Sequence, residues 1–191
     1  NFAQARNNLG NAFKDLERPD DAIQSYKRAI DIKPDFAEAH NNLGSALKDL
    51  EKLDDSVISF ENAVTLKPSF ADAHFNLGNA LHELTLQGLG SLDDPVLSYE
   101  MSISIDPNYA QAHNNLGNVL KDSGRLKEAE ISFQKALSIN TNYVEAYYSL
   151  GIVLFDLGKF EESKMSYLKA IEINYNFAEA HNNLGNTYSE L

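Results

Sequence analysis

Residues 42–44 read Asn-Leu-Gly, and this tripeptide returns at regular intervals along the chain. Its successive glycines are separated by 34, 34, 39, 34 and 34 residues. A fixed period of this length is typical of a helical solenoid, in which each unit packs against the next. The motif occurs at Asn8-Leu9-Gly10, Asn42-Leu43-Gly44, Asn76-Leu77-Gly78, Asn115-Leu116-Gly117 and Asn183-Leu184-Gly185, with Ser149-Leu150-Gly151 in the remaining unit.

The pattern within one unit predicts two helices. If the glycine of the motif is numbered position 8, small or apolar residues recur at positions 4, 7, 8 and 11 and again at positions 20, 24, 27 and 28. Both sets follow the three-and-four spacing of a helix stripe. Gly124 and Gly158 lie between them, where a left-handed residue ends a helix. Asp20-Asp21, Asp54-Asp55 and Asp93-Asp94 are expected to supply side-chain caps and favourable negative charge at the start of the next helix. The sequence therefore predicts about eleven helices.

Large and small side chains also alternate at fixed positions of the second helix. This pattern strongly resembles the tetratricopeptide repeat (TPR), a helix-turn-helix unit of 34 residues. The resemblance implies an all-α solenoid of stacked antiparallel helix pairs, wound as a right-handed superhelix with the first helices on the concave side. Position 24 is aromatic and three units close on proline, at Tyr26, Phe60, Tyr99, Phe133 and Tyr167 and at Pro34, Pro68 and Pro107.

The repeat boundaries predict a single array over residues 1–191. Five extra residues lie in the turn of the third repeat, within 85–91, and we expect Leu86 and Leu89 to fold back onto the array. Both ends match the interior of a repeat, which predicts a piece of a longer chain. The repeats are 3–36, 37–70, 71–109, 110–143 and 144–177, followed by a half repeat at 178–191.

Composition excludes several classes of function. The net charge of -12 repels phosphate backbones, so nucleic acid is not an expected partner. No apolar run approaches the roughly 20 residues that span a bilayer, so no membrane partner is expected. The absence of cysteine excludes disulfides and thiolate catalysis. No asparagine lies in an N-glycosylation sequon, which argues against a secreted eukaryotic protein, and we expect a cytoplasmic location.

A polar arc lies opposite the apolar stripe of each first helix, at positions 2, 5, 6, 9, 12 and 13. An amide both donates and accepts, so it pairs with an extended peptide backbone without requiring a particular side chain. We therefore expect a non-catalytic scaffold that binds extended protein or peptide segments, neutral to basic because the chain is acidic. The predicted peptide-binding residues are Asn8, Asn11, Asn42, Asn76, Asn79, Asn115, Asn118 and Asn183.

The position-6 asparagines resemble the asparagine ladder in the TPR superhelix of O-linked N-acetylglucosamine transferases. That resemblance implies a ladder that holds substrate peptides and is interrupted once, at Ser149. One alternative is that this chain is the substrate-recognition arm of such a glycosyltransferase, whose catalytic domain lies outside residues 1–191. Another is that the asparagines hydrogen-bond between adjacent helices and serve packing.

Other chemistry is not indicated by the sequence. His40, His74, His113 and His181 all occupy position 4, but successive repeats separate them by about a helix diameter, too far for one metal. Packing is the better interpretation, and we predict no metal site, cofactor or catalytic residue. Exposure of Tyr188 and Leu191 on the last helix favours a third function, a structural array that self-associates end to end.

Overall fold

The computed structural model describes residues 2–191, which form two compact units divided after Ile105. Both units consist of helices, and no strand occurs within the described range. The first unit contains α1 (Phe2–Asp15), α2 (Pro19–Ile32), α3 (Ala37–Lys48), α4 (Leu53–Leu66), α5 (Ala71–Leu86) and α6 (Asp93–Ile105). The second contains α7 (Ala110–Asp122), α8 (Leu126–Ile139), α9 (Val144–Asp156), α10 (Phe160–Ile173) and α11 (Ala178–Glu190).

The eleven helices over residues 2–191 confirm the predicted all-α solenoid class. In each unit a first helix packs against the second helix of its own repeat, and that second helix packs against the first helix of the next repeat. First helices of adjacent repeats also contact each other, α1 with α3 and α3 with α5, and α7 with α9 and α9 with α11. The first helices of a unit therefore form one continuous face. Extension of a single array across both units stays a prediction.

The glycine of the repeated tripeptide allows the two helices of a repeat to approach closely. A Cβ atom built on Gly44 would lie 2.7 Å from the ring of Phe60, and one on Gly117 would lie 2.7 Å from the ring of Phe133. Real Cβ atoms do not tolerate such distances, so only glycine fits. The aromatic residue at position 24 is buried in each of the five complete repeats, and it fills the space that glycine leaves open.

The turns confirm part of the prediction. Gly124 and Gly158 adopt positive φ values of 76° and 72°, as expected for residues that end a helix. Glu17 and Glu51 occupy the same turn in the first two repeats, with φ values of 55° and 59°. A left-handed conformation is unfavourable for a residue with a Cβ, so these two turns are strained relative to those of the second unit.

The predicted aspartate caps are wrong. The N-cap residues of α2 and α4 are Arg18 and Lys52, and neither helix has a side-chain cap hydrogen bond. The aspartate pairs lie in the first turn of each helix, which confirms the predicted negative charge beside the helix N-terminus.

The insertion of the third repeat also differs from expectation. It lengthens α5 to Leu86 and adds a loop before Asp93. Leu86 and Leu89 are 70% and 56% exposed, so the prediction that they fold back onto the array is wrong. Leu86 is the last residue of α5, and Leu89 lies in the loop between two glycines at positive φ, Gly88 and Gly90, which turn the chain at that point.

Candidate functional site

Hydrogen bonds between repeats organise the asparagines of the first unit. Asn42 donates from Nδ2 to Oδ1 of Asn7 at 3.0 Å and to Oδ1 of Asn11 at 3.2 Å. Asn76 repeats the bond one unit later, donating to Oδ1 of Asn41 at 3.0 Å. A position-6 asparagine thus donates to the buried position-5 asparagine of the preceding repeat. We call each such bond a rung.

Tyrosine at position 24 donates a hydrogen bond to the position-9 asparagine of its own repeat in two repeats. The hydroxyl of Tyr26 donates to Oδ1 of Asn11 at 2.8 Å, and that of Tyr99 donates to Oδ1 of Asn79 at 2.8 Å. Burial raises the pKa of Tyr26 to about 12, with smaller contributions from Asp15 and Asp49. The hydroxyl therefore remains a protonated donor at neutral pH. These two position-9 asparagines are therefore held by the core beneath them.

The second unit breaks this pattern at Ser149. Its shorter hydroxyl donates to Oδ1 of Asn118 at 3.2 Å and does not reach the position-5 residue, Asn114. Asn114 donates to its neighbour Asn115 at 3.2 Å, while its own Oδ1 is buried without a hydrogen-bond donor among residues 2–191. The next repeat restores a weaker rung, because Asn183 donates to the hydroxyl of Tyr148 at 3.3 Å.

The eight predicted binding residues all lie on first helices, but they differ in exposure and partners. Asn8 and Asn11 are exposed, and the other six are partly exposed. Asn8 accepts from Nε2 of Gln4 at 2.9 Å within its own helix. The structure joins Asn11 directly to Asn42, whereas the rung partners Asn7 and Asn41 are buried residues that lie outside the predicted set. Asn42 and Asn76 therefore both line the polar face and join adjacent repeats through hydrogen bonds.

Ion pairs also join adjacent repeats at the C-terminal ends of the first helices. Lys14 pairs with Asp49 at 3.1 Å and Lys48 pairs with Glu83 at 3.3 Å, so in both cases position 12 reaches position 13 of the next repeat. In the second unit Lys121 instead pairs with its neighbour Asp122 at 3.2 Å. All of these groups are substantially exposed, so each pair contributes little to stability, but each neutralises an acidic residue on the face.

The fifth repeat carries a pocket that the sequence analysis missed. It lies between α9, α10 and α11, has a volume of about 190 Å³, and is lined by Ile152, Phe155, Asp156, Tyr167, Asn183 and Asn186. The signal was present in the sequence as a departure from the repeat pattern: positions 5, 6, 9 and 12 of this repeat are Tyr148, Ser149, Ile152 and Phe155, where the other complete repeats are mostly polar.

The histidine column has a local structural role. In each case Nε2 donates to a backbone carbonyl six residues earlier, in the turn that precedes the helix. The distances are 3.0 Å for His40 to Pro34, 3.0 Å for His74 to Pro68, 3.1 Å for His113 to Pro107 and 2.9 Å for His181 to Tyr175. Burial lowers the pKa of His113, which favours the neutral ring.

The part of the chain that the structure describes has neither a metal-binding cluster nor a membrane-spanning helix. Residues 2–191 contain no group of three or more histidine, cysteine, aspartate or glutamate side chains placed to hold a metal ion. Within the same range, no helix combines the length and apolar character that crossing a membrane requires.

Known structures share this fold. The structure of MamA is 24% identical with a TM-score of 0.80, covering 90% of this chain and 97% of that one. A structure titled "Crystal structure of YrrB: a TPR protein with an unusual peptide-binding site" is 20% identical with a TM-score of 0.78, covering 93% of this chain and 89% of that one. TTC0263 of Thermus thermophilus is 21% identical with a TM-score of 0.71, covering 98% and 99%.

Sequence families agree with the structural likeness. A search of the curated proteins gives no significant match. The family described as "TPR repeat" matches residues 10–51, 44–84, 117–158 and 153–191, and a second, "Tetratricopeptide repeat", matches residues 98–131. These matches cover well over half of the chain and follow the repeat seen in the helices. The chain therefore belongs to the tetratricopeptide repeat family.

Proposed function

We propose that this chain is a non-catalytic scaffold that binds extended peptide segments along the first-helix face. Repeats of this family generally mediate protein–protein interactions, and the TPR fold is a scaffold rather than a typical catalytic fold. The observation that carries the proposal is the hydrogen bonding of the position-6 asparagine side chains. Asn42, a partly exposed residue, uses its N–H groups on the preceding repeat, which leaves its carbonyl oxygen without a donor among the described residues.

Asn76 repeats this arrangement one unit further along. Its Nδ2 donates to Asn41, and no described residue donates to its carbonyl oxygen. The rungs therefore fix the orientation of each amide before any ligand arrives, which reduces the entropy lost on binding. Two fixed carbonyl acceptors on consecutive repeats suit the backbone N–H groups of an extended peptide. In this proposal, packing and binding are two functions of one amide.

The charge of the face supports neutral to basic peptides. Position 2 carries Glu145 and Glu179 in the second unit, and Glu38 and Asp72 in the first, where Glu38 is paired with Lys67 at 2.8 Å. Such carboxylates repel an acidic segment and attract a basic one over a distance of about 8–10 Å. YrrB, described as a TPR protein with an unusual peptide-binding site, shares its fold with this chain. This likeness supports peptide binding in general and not a particular ligand.

The test is a binding screen on the intact chain with immobilised peptides that are neutral, basic or acidic. We expect binding to neutral and basic peptides, with a loss of about tenfold when Asn42, Asn76 and Asn115 are changed together to alanine. Asn62→Ala is the matched control, because this exposed asparagine lies on the second helix α4. Equal peptide binding by the triple variant and the control would refute peptide binding by the position-6 asparagines.

Melting must be followed in the same variants, since the rungs also join repeats. If binding is lost and the melting temperature of the triple variant falls by only a few degrees, the amides contact peptide. If no peptide of any charge binds the wild-type chain, the proposal fails and the rungs are packing devices. Use as a glycosyltransferase arm and end-to-end self-association stay predictions from sequence, although Tyr188 and Leu191 are 56% and 55% exposed.

A further inference from the structure

The pocket of the fifth repeat is sized for one side chain. Its volume of about 190 Å³ lies below the roughly 300–1,000 Å³ of sites that hold drug-sized ligands. It opens on the first-helix face, since Ile152 and Phe155 occupy positions 9 and 12 of α9 and Asn183 and Asn186 occupy positions 6 and 9 of α11. A peptide lying along that face would therefore pass over its mouth.

The apolar part of the pocket is a fixed aromatic wall. Phe155 packs edge-on against Phe160, with ring centroids 5.3 Å apart and an interplanar angle of 66°. Tyr167 is 2% exposed, and its ring fills the close approach to Gly151. In the first repeat the equivalent tyrosine donates to Asn11, but here Ile152 occupies that position and offers no acceptor. The substitution removes a polar side chain from the floor of the pocket.

The polar part of the pocket carries one negative charge. Asp156 is exposed, and no cation within residues 2–191 pairs with its carboxylate. Three of its equivalents in the other complete repeats, Asp49, Glu83 and Asp122, are each paired with a lysine, whereas the fourth, Asp15, pairs with no described cation. Burial raises the pKa of Tyr167 to about 12, so its hydroxyl adds no second charge at neutral pH. Asn186 makes no hydrogen bond to another described residue and supplies a free amide.

We propose that this pocket binds an arginine side chain of a bound peptide. The proposal rests on the peptide-binding function above and specifies the class of ligand. An arginine stem is apolar and fits beside Ile152, while its planar guanidinium stacks on an aromatic ring such as Phe155. Its five N–H donors match the carboxylate of Asp156 and the amide oxygens of the asparagines. A lysine ammonium has neither a planar face for stacking nor paired N–H donors that match a carboxylate.

The test uses short peptides with blocked ends, in which glycine and serine flank a single variable residue. The variable residue is arginine, lysine, citrulline or norleucine, and binding to the ¹⁵N-labelled chain is followed by NMR. We expect the arginine peptide to shift the side-chain amide signals of Asn183 and Asn186. Lysine is expected to bind at least about threefold more weakly, and citrulline and norleucine at least about tenfold more weakly, because each lacks the stacking plane, the charge or both.

Two substitutions locate the interaction. Asp156→Asn keeps the shape of an exposed side chain and should weaken arginine binding by about tenfold. Phe155→Leu keeps an apolar wall without the aromatic face and should weaken it by about two- to fivefold. Asp15→Asn is the matched control, because Asp15 occupies the same position beside Tyr26 but Asn11 fills the equivalent of Ile152. We expect no change in arginine binding for this control.

The outcomes separate this inference from the proposed function. Selective arginine shifts that are lost in Asp156→Asn and kept in Asp15→Asn support the pocket, even if the ladder variants bind peptide normally. Equal binding of all four peptides, or equal affinities of Asp156→Asn and wild type, would refute arginine binding by the pocket. Peptide binding that depends on the ladder asparagines would be unaffected by that result. Absence of binding in both experiments overturns both.

Discussion

The face of the first unit and the face of the fifth repeat use the same repeat positions for opposite arrangements. In the first unit, Asn42 and Asn76 donate to the preceding repeat and close the face with internal hydrogen bonds. In the fifth repeat, Ser149 makes no rung to Asn114, and Ile152 replaces the asparagine that accepts from the position-24 tyrosine in the first and third repeats; a pocket lies above Tyr167 beside Ile152. The two regions share a backbone scaffold and differ by a few side chains.

The difference shows that the repeat specifies two layers independently. Position 8 glycine and the position 24 ring set the distance between helices, and they are the same in both regions. Positions 5, 6, 9 and 12 set what the face presents, and they vary without disturbing the helices beneath. Function in such an array is therefore expected where a repeat departs from its own pattern at the face positions and keeps the scaffold positions.

The largest expected effect tests the shared layer. Gly44→Ala in the first unit and Gly151→Ala in the second should each lower the free energy of unfolding by about 1–3 kcal/mol or more, because the added methyl group overlaps the ring of Phe60 or Tyr167. Chemical denaturation followed by circular dichroism measures the loss. Similar losses at the two sites would establish that the units share one packing rule.

Gly185→Ala supplies the matched control within the same tripeptide. A Cβ at this glycine meets no atom within 4 Å, and alanine is the better helix former by about 1 kcal/mol. The substitution should therefore leave stability unchanged or raise it. A loss at Gly185 as large as that at Gly44 would mean that glycine acts through the backbone and not through the contact with the ring.

The second prediction converts one face arrangement into the other. Ser149→Asn should restore the missing rung by placing an amide donor opposite Oδ1 of Asn114, the buried acceptor without a donor. Satisfying a buried polar group is worth about 1–2 kcal/mol, so the free energy of unfolding should rise by that amount. The reciprocal change, Asn42→Ser, should lower it by a similar amount, because Asn7 loses its donor.

The two substitutions are best measured against Asn7→Ala and Asn114→Ala, which remove the acceptors. In a double-mutant cycle, the effect of Asn42→Ser should disappear in the Asn7→Ala background, and the gain from Ser149→Asn should disappear in the Asn114→Ala background. A gain from Ser149→Asn that survives without Asn114 would show that it comes from helix propensity or solvation and not from a rung.

The sequence predicted the scaffold well because its signals are local and repeated. The period, the apolar stripes and the left-handed glycines at Gly124 and Gly158 each act within one unit, so they can be read without knowing the neighbours. The same locality explains the failure at the helix starts. A pair of aspartates stabilises a first turn through its charge alone, so the pattern does not reveal whether a side chain also caps the helix.

The face could be predicted only in part. Recurrence indicated the polar positions, but the choice of partner depends on distances between repeats, which is why the buried acceptors Asn7 and Asn41 were not expected. The ion pairs show the same limit, since Lys14 and Lys48 pair with acidic residues of the next repeat, Asp49 and Glu83. Predicting the pocket at Ile152 and Phe155 would have required knowing which substitutions open space between helices. A consensus repeat pattern does not show the effect of such individual departures.

The smallest expected effect compares the turns of the two units. Glu51 adopts a left-handed conformation in the first unit, where the second unit has Gly158. Glu51→Gly should raise the free energy of unfolding by about 0.5–1 kcal/mol, because relief of the Cβ strain exceeds the added entropy of the unfolded chain. Gly158→Glu should lower it by a comparable amount, and Glu61→Gly, at an exposed position inside α4, should lower stability.

The direction of the Glu51→Gly change decides between two origins of the difference between the turns. A gain in both Glu51→Gly and Glu17→Gly would show that the first unit carries backbone strain that its face does not require. A loss would show that the glutamate side chain contributes to the turn through interactions that outweigh the strain. In that case the turns, like the faces, differ between the units through side chains that compensate for departures from the repeat.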